Sequence, residues 1–493
     1  MRRPSLLSAS WSILVRLPLG FLIPFVALAG AWTLYLFKEV SQHPKNLFAN
    51  PILSRVDDFL SAILVIALYV AGVLIAYNVS VFINWILVRY GFKPAPLSTI
   101  SPHRPDAQST PSGRLKDFKK IGIVLAGGGA KGAFQAGAMK AIYQFLAEEN
   151  ALDKVKVISA TSIGSWNALF WLADLIKSEK GWEEPSAHEK WWRSISLRSL
   201  VAPSWYVPGF RNAFFVTAPW QRNFDAIFGQ PDVQQKIAAS DIHFYLTRSD
   251  VRSGKLMCTT NNRNAPHLPK VNPSWVDAAK GADKFLEAVK FGVFASMDLP
   301  PLFPYMEMGD SVFEDGGVID NLPVMFAAME QCDLIFVLPL NSDFNAVPNR
   351  KSVLNRFLRV MDVRQGALER GSLKNVYLYN ELAVLRKYLQ TIEAKLAEAK
   401  VVLPPIEMSE TLRYALDRTH EVSKIFAVCP QRTFVEGTID TQELWKSKGA
   451  SRAFSVMYQS TGDVLHRDFK PMEEKIRVAL IDDAGGVTWN HDF

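Results

Sequence analysis

The stretch that decides the fold is residues 121–132, IGIVLAGGGAKG. Its first part, Ile121–Ala126, is a short apolar run that ends at glycines, which predicts a buried β-strand followed by a sharp turn. The spacing of apolar residues over Gly132–Glu148 then predicts a helix. A second strand is predicted at Val155–Ala160 and a second helix at Gly164–Ile176. Strand and helix alternating in this way indicate an α/β sheet with helices on its faces.

The glycine-rich loop lies between the first strand and the first helix. Glycines let the backbone turn sharply and approach a ligand, and N–H groups at a helix start converge on negative charge. A Walker loop is excluded because Lys131 precedes Gly132 and Ala133 instead of a serine or threonine, and the spacing also excludes the dinucleotide fingerprint. An oxyanion hole remains as the functional alternative to a plain tight turn.

Two further signals follow the glycine-rich loop along the chain. Residues 160–164 read ATSIG and place Ser162 between a strand and a helix, which is the context of a nucleophile elbow. The usual elbow has glycine two positions before the serine, where this chain has Ala160. Asp315 stands before two glycines, a pattern that alone is common in turns. The three signals in this order are much rarer than any one of them.

With these motifs the chain resembles the patatin-like phospholipases over roughly residues 119–435. The resemblance rests on Leu125–Gly137 (LAGGGAKGAFQAG), on the serine elbow, on the Asp-Gly-Gly motif, and on the block from Ala295-Ser296 through Leu302-Phe303-Pro304. It implies a three-layer α/β sandwich with a mainly parallel sheet, and a dyad of the nucleophile Ser162 and the base Asp315. The other site residues that it implies are the oxyanion-hole glycines Gly127, Gly128 and Gly129 and the motif-supporting residues Lys131, Gly132, Gly164, Gly316 and Gly317.

The resemblance implies a serine acyl hydrolase that releases fatty acid from phospholipid or lysophospholipid through an acyl-enzyme, without metal or cofactor. A thioesterase or a transacylase on the same dyad is one alternative, and a non-catalytic membrane scaffold is another. The intact motifs weigh against the scaffold. The histidines of the catalytic region, His188, His243 and His267, stand in no recognisable triad context. Lys131 is expected either to attract an anionic head group or to be a solvated charge.

The composition limits the kinds of binding partner and metal site that the chain is expected to have. The 493 residues carry a formal net charge of +7, which is mild over this length; it is compatible with an anionic lipid surface but specifies no partner. No dense Lys/Arg block indicates nucleic acid. The cysteines Cys258, Cys332 and Cys429 are far apart, so we expect neither a disulfide framework nor a zinc site, but three buried apolar residues.

Residues 1–90 are expected to form two transmembrane helices. The runs 17–37 and 59–88 contain no charged residue, and about 20 apolar residues span a bilayer. A cleaved signal peptide is the alternative for the first run. We therefore expect an integral, multi-pass membrane protein that acts on membrane phospholipids, with its hydrolase domain on the cytoplasmic side. Residues 91–118 are expected to be a proline-rich linker, and residues 436–493 a C-terminal extension.

Two stretches leave their packing open. Ser352–Lys400 is predicted to be largely helical, and the residues expected to pack on the domain repeat at steps of three and four: Leu378, Leu382, Leu385, Leu389, Ile392 and Leu396. An aromatic-rich stretch after the elbow helix is expected to form either an acyl-chain pocket or lid, or ordinary core: Trp191, Trp192, Trp205, Tyr206, Phe210, Phe214, Phe215 and Trp220.

Overall fold

The computed structural model describes residues 112–203, 213–265, 271–341, 353–401, 409, 422–431, 447–472 and 477–490. All of them lie in the second of the two compact units of the chain, Ala95–Phe493. The predicted transmembrane segments 17–37 and 59–88 lie outside the described residues. In the part of the chain that is described, no helix is long and apolar enough to cross a membrane.

The fold alternates strands and helices as the sequence predicts. The strands are β1 (Ile121–Leu125), β2 (Val155–Thr161), β3 (Ala202–Pro203), β4 (Phe215–Val216), β5 (His243–Asp250), β6 (Lys255–Thr260), β7 (Val271–Trp275), β8 (Met306–Met308), β9 (Ser311–Asp315), β10 (Leu334–Leu338), β11 (Lys424–Pro430), β12 (Val478–Ile481) and β13 (Val487–Asn490). The helices are α1 (Gly132–Glu148), α2 (Ile163–Leu172), α3 (Ala187–Ser194), α4 (Leu197–Leu200), α5 (Ala218–Phe228), α6 (Pro231–Ala239), α7 (Ala282–Met297), α8 (Val324–Met329), α9 (Val353–Glu398) and α10 (Ser447–Arg467).

Eleven of the described strands form one large sheet in the order β13-β12-β11-β10-β1-β2-β5-β6-β7, with β9 pairing with β5 and β8 pairing with β9. Strands β3 and β4 form a separate two-stranded antiparallel sheet. The strands from β12 to β5 in this order run parallel to one another. The central strands β1 and β10 are buried at every position, because helices cover both faces of a parallel sheet. The structure thereby confirms the predicted α/β fold with a mainly parallel sheet.

The domain extends beyond the boundaries expected from the sequence. Within the expected C-terminal extension, β12 pairs with β11, and α10 packs on α1, where Tyr458 Oη donates to Gln144 Oε1 at 2.5 Å. At the other end, Leu115 is buried and Arg114 Nη1 donates to Leu465 O at 2.8 Å. Residues 447–472 and 477–490 therefore belong to the same domain as the sheet, and the described end of the expected linker packs on it.

The long helix α9 confirms the helical prediction, but the predicted packing face is wrong at two of its six residues. Leu378 and Leu385 are about half exposed, at 49% and 47%. The helix buries Glu369, Leu373 and Val376 instead. The apolar spacing did not identify this buried face, because the face includes polar side chains that reach the carboxyl end of the sheet.

The aromatic stretch is largely core where the structure describes it. Trp191, Trp192 and Trp220 are buried, and the ring of Trp166 lies 4.8 Å from Trp191 and 5.5 Å from Trp220. Phe214 is exposed. Trp205, Tyr206 and Phe210 lie outside the described residues. The three cysteines are free and buried, as predicted.

Candidate active site

Strand β5 aligns the two residues of the predicted dyad. Thr161, the last residue of β2, pairs with Thr247 of β5, and the next residue of β5, Arg248, pairs with Asp315 of β9. Ser162 and Asp315 are 153 positions apart in the chain, yet both reach the carboxyl end of β2. Ser162 Oγ donates a hydrogen bond to Asp315 Oδ2 at 2.5 Å.

The backbone of Ser162 has the sharp turn expected of an elbow. Its φ is +53° and its ψ is −127°, a conformation that costs a non-glycine residue about 1–3 kcal/mol. The Ser162 N–H donates to Ser296 Oγ at 2.8 Å, and Ser296 Oγ lies 3.0 Å from Ser165 Oγ. Helix α7, which carries Ser296, therefore helps to hold the strained turn.

The start of α2 passes close to β1, which explains the small residues of the elbow. A Cβ atom on Gly164 would lie 2.6 Å from the carbonyl oxygen of Leu125. Ala160, which stands where the usual motif has glycine, is fully buried in β2. Its carbonyl oxygen accepts a hydrogen bond from Ser165 Oγ at 3.3 Å. The extra methyl group is accommodated in an elbow that keeps the Ser162–Asp315 hydrogen bond.

Asp315 is a buried carboxylate with a perturbed pKa. Its Oδ1 accepts the Gly317 N–H at 2.7 Å. Burial raises the pKa of Asp315 to about 6, although the hydrogen bonds from Ser162 and Gly317 oppose the rise. Burial and the charge of Asp315 also raise the pKa of Glu314 to about 7, and burial with these two neighbours raises that of Asp298. Asp315 is thus a stronger base than an exposed aspartate and still ionises near neutral pH.

The glycine-rich loop approaches the dyad closely at Gly127. A Cβ atom there would lie 2.5 Å from Asn321 Oδ1 and 2.9 Å from Ser162 Cβ, so only glycine fits. The Gly127 N–H already donates to the Asn321 carbonyl at 3.1 Å. The N–H groups of Gly128 and Gly129 have no acceptor among the described residues. The loop therefore offers the donors of Gly128 and Gly129, while Gly127 provides space.

A buried polar network extends from this loop to α9. Lys131 is 6% exposed and its Nζ donates to Asn341 Oδ1 at 2.6 Å, so it is not the solvated charge that the sequence allowed. Asn321 Nδ2 and Asn341 Nδ2 each donate to Glu369 Oε1 at 2.6 Å. Burial raises the pKa of Glu369 to about 7, opposed by the hydrogen bonds from Asn341 and by the charge of Lys131.

Sequence reasoning assigned no role to Asn341 or Glu369. Asn341 follows β10, and polar residues after the carboxyl ends of parallel strands are where α/β sheets place ligand sites. That position is a signal that could have found it. Glu369 lies within a long helix, and nothing in its local sequence distinguishes it from an exposed glutamate.

A second network holds the far end of the loop. Asn167 Nδ2 donates to the Gly132 carbonyl at 3.1 Å, and Asn167 Oδ1 lies 3.0 Å from His188 Nε2. Burial and the charge of Lys140 lower the pKa of His188 to about 3. His243 bonds to Glu330, and His267 lies outside the described residues. Neither described histidine of the catalytic region bonds to Ser162 or Asp315.

A known protein family matches the part of the chain that contains these site residues. The family model of the patatin-like phospholipases matches residues 123–328. Residues 123–328 belong to the patatin-like phospholipase family. This range holds the glycine-rich loop, Ser162 and Asp315. The match confirms the family predicted from the sequence for this part of the chain.

Relatives of this patatin-like domain include fungal proteins named lysophospholipase NTE1. The protein of Saccharomyces cerevisiae is 25% identical over 347 residues, which are 67% of this chain and 17% of the relative. That of Debaryomyces hansenii is 24% identical over 326 residues, 64% of this chain and 18% of the relative. The chain thus spans less than a fifth of either relative. Among solved structures, VipD from Legionella pneumophila matches with 12% identity and a TM-score of 0.33, over 71% of this chain and 67% of that one.

Proposed function

We propose that the chain is a serine acyl hydrolase that cleaves fatty acyl esters of lysophospholipid or phospholipid through a Ser162–Asp315 dyad. The observation that carries the proposal is the 2.5 Å hydrogen bond from Ser162 Oγ to Asp315 Oδ2 at a strained elbow. A serine within hydrogen-bond reach of a base is the arrangement that nucleophilic catalysis requires.

In the first step Ser162 Oγ attacks the ester carbonyl carbon while its proton passes to Asp315 Oδ2. The raised pKa of Asp315 favours this transfer, because a base with a pKa near the working pH accepts a proton more readily. The hydrogen bond from Gly317 N–H to Asp315 Oδ1 fixes the carboxylate so that Oδ2 faces the serine.

The negative charge that develops on the carbonyl oxygen needs donors that are not already engaged. We assign the N–H groups of Gly128 and Gly129 to this role, supported by the lack of an acceptor for them in the described residues. The N-terminus of α2, which begins at Ile163, adds its dipole next to the serine.

Collapse of the tetrahedral intermediate breaks the ester C–O bond, and the proton on Asp315 passes to the leaving alcohol. Water then attacks the acyl-enzyme and gives a proton to Asp315. The second collapse breaks the Ser162 Oγ–acyl bond and releases the fatty acid, and the proton returns from Asp315 to Ser162 Oγ. One water is consumed for each ester bond cleaved.

Lysophospholipid is the substrate that the relatives favour, because the NTE1 proteins are named lysophospholipases. A thioesterase or a transacylase shares the same acyl-enzyme and differs only in the group that enters or leaves. A transacylase transfers the acyl group to a lipid alcohol instead of water.

The experiment uses the full chain and a Ser162→Ala variant, with a lysophospholipid, a diacyl phospholipid and an acyl thioester supplied separately. We expect fluorophosphonate labelling and fatty acid release from lysophospholipid in the wild type, and neither in the variant. Labelling that persists in Ser162→Ala refutes the dyad. Acylated lipid product in place of free fatty acid establishes the transacylase instead.

We also propose that residues 17–37 and 59–88 anchor the chain in a membrane next to its lipid substrate, with the hydrolase domain on the cytoplasmic side. Support comes from two runs without charged residues, each long enough to span a bilayer of about 30 Å. The full chain should fractionate with membranes and resist extraction by carbonate. Release by carbonate refutes the anchor and leaves the dyad untouched.

A further inference from the structure

The carboxylate of Glu369 connects two segments that border the dyad. Its Oε1 accepts from Asn321 Nδ2 and Asn341 Nδ2, each at 2.6 Å, and its Oε2 accepts the Asn341 N–H at 3.1 Å. Glu369 is fully buried on α9, and its pairing with Lys131 runs through Asn341. A buried carboxylate is stable only when it is well supplied with hydrogen bonds or opposite charge, and here both are present.

Asn321 carries this arrangement into the reaction centre. Its Nδ2 donates to Glu369 and also to the Gly127 carbonyl at 3.0 Å, and these two acceptors fix which way the amide faces. Its Oδ1 has no hydrogen-bond partner among the described residues. A Cβ atom added to Gly127 or to Gly317 would lie only 2.5 Å from this oxygen. Asn321 therefore stands between the oxyanion loop and the loop that orients Asp315.

We propose that Glu369 is a positioning residue, which holds Asn321 and Asn341 so that the glycine-rich loop and the Asp-Gly-Gly turn keep the spacing that the dyad needs. The inference deepens the proposed function and rests on it. Asn321 bonds to Gly127, the first glycine of the loop, and Asn341 accepts a hydrogen bond from Lys131 at the other end of the loop. Loss of the carboxylate removes the acceptor that Asn321 and Asn341 share.

The test replaces Glu369 by glutamine in the full chain. Glutamine keeps the size but replaces one acceptor oxygen by an NH₂ group. This group faces either the Asn341 N–H or the NH₂ groups of Asn321 and Asn341, so in either orientation at least one donor loses its acceptor. Glu381→Gln is the matched control, because Glu381 lies on the same helix and is exposed. The readouts are kcat and KM on a soluble p-nitrophenyl ester, the second-order rate of fluorophosphonate labelling, and the thermal midpoint. Each kcat is divided by the fraction of chains that label to completion, so that unfolded protein does not count as lost rate.

We expect Glu369→Gln to lower kcat by about 10- to 100-fold, as small displacements of reacting groups do, with KM within about twofold of wild type. The labelling rate should fall in parallel, and Glu381→Gln should match wild type. A folded Glu369→Gln chain with wild-type kcat, or with only KM changed, overturns the proposal. If Glu369→Gln does not fold, Asn341→Ala decides: about a tenfold loss of kcat supports the proposal, and wild-type kcat overturns it.

Ser162→Ala separates this inference from the proposed function. Labelling and hydrolysis that survive in Ser162→Ala refute the proposed function itself. An inactive Ser162→Ala chain beside a fully active Glu369→Gln chain refutes only the positioning role.

Discussion

Replacing Asp315 by asparagine should remove activity and, above neutral pH, make the protein more stable. The Asp315 Oδ1 atom accepts the Gly317 N–H, so the oxygen of an asparagine amide takes that place. Its NH₂ group then faces Ser162 Oγ and cannot accept the proton. Loss of a general base costs about 10²–10⁴-fold in rate, which is about 3–5 kcal/mol of transition-state free energy.

The gain in stability follows from the pKa of the buried carboxyl. The pKa of Asp315 rises from 3.8 to about 6 on folding. A group whose pKa is raised by folding stabilises the folded state fully below its unfolded pKa, and that contribution disappears as pH rises through the folded pKa. A difference of about two at about 1.4 kcal/mol per pKa unit gives about 3 kcal/mol. Asparagine carries no charge, so Asp315→Asn avoids this loss.

Thermal unfolding of wild type and Asp315→Asn at pH values from 4 to 8.5 measures this effect. The stability of the variant relative to wild type should increase across the interval from about pH 4 to pH 7 and then level off, by about 5 °C in total for a domain of this size. Ser162→Ala is the control with the opposite sign, because it removes a hydrogen bond that lowers the pKa of Asp315. A difference that does not change with pH, or a folded Asp315→Asn chain with more than a tenth of wild-type kcat, refutes the reasoning.

Three substitutions around the dyad test its packing. Gly127→Ala should lower kcat by about 10² or more, because its Cβ collides with Asn321 and Ser162; steady-state rates of the folded variant check this, and near-normal turnover contradicts it. Ser296→Ala should lower the free energy of unfolding by about 1–3 kcal/mol and kcat by roughly tenfold, because the buried Ser162 N–H loses its acceptor; denaturant unfolding and kinetics measure both. Ala160→Gly should cost about 0.5–1 kcal/mol of stability with kcat within about threefold of wild type, since the elbow already accommodates the methyl group; a large gain in rate would show that the methyl group strains the site.

The parts of the site that could be predicted are those that depend on short, contiguous stretches of sequence. Ile121–Leu125 and Val155–Thr161 are apolar runs that end in glycine or serine turns, and parallel neighbours in a sheet bring their carboxyl ends together. The strand patterns therefore account for the approach of the glycine-rich loop to Ser162. Asp315 came from a motif, because its strand reaches the site only through antiparallel pairing with β5.

The parts that could not be predicted depend on contacts between distant segments. A glutamate in the middle of a helix has no local feature that marks Glu369 as buried, and its partners Asn321 and Asn341 come from two other loops. The same dependence on tertiary packing explains the error at Leu378 and Leu385. The spacing of these leucines fits a packed face, but the face of the helix that packs on the domain is the one that contains the polar residue Glu369.

Strand β5 pairs with both β2 and β9, and this has a consequence for how such domains can diverge in sequence. Because adjacent residues of β5 fix Thr161 and Asp315, the length of chain between the dyad residues does not set their distance. Insertions and deletions in loops of the intervening segment should therefore be compatible with catalysis. A shift of β9 by one residue on β5 is different, since it turns the Asp315 side chain to the opposite face of the sheet. Homologous exchange of the intervening segment should preserve activity only when its break points leave the pairing of β5 with β9 unchanged.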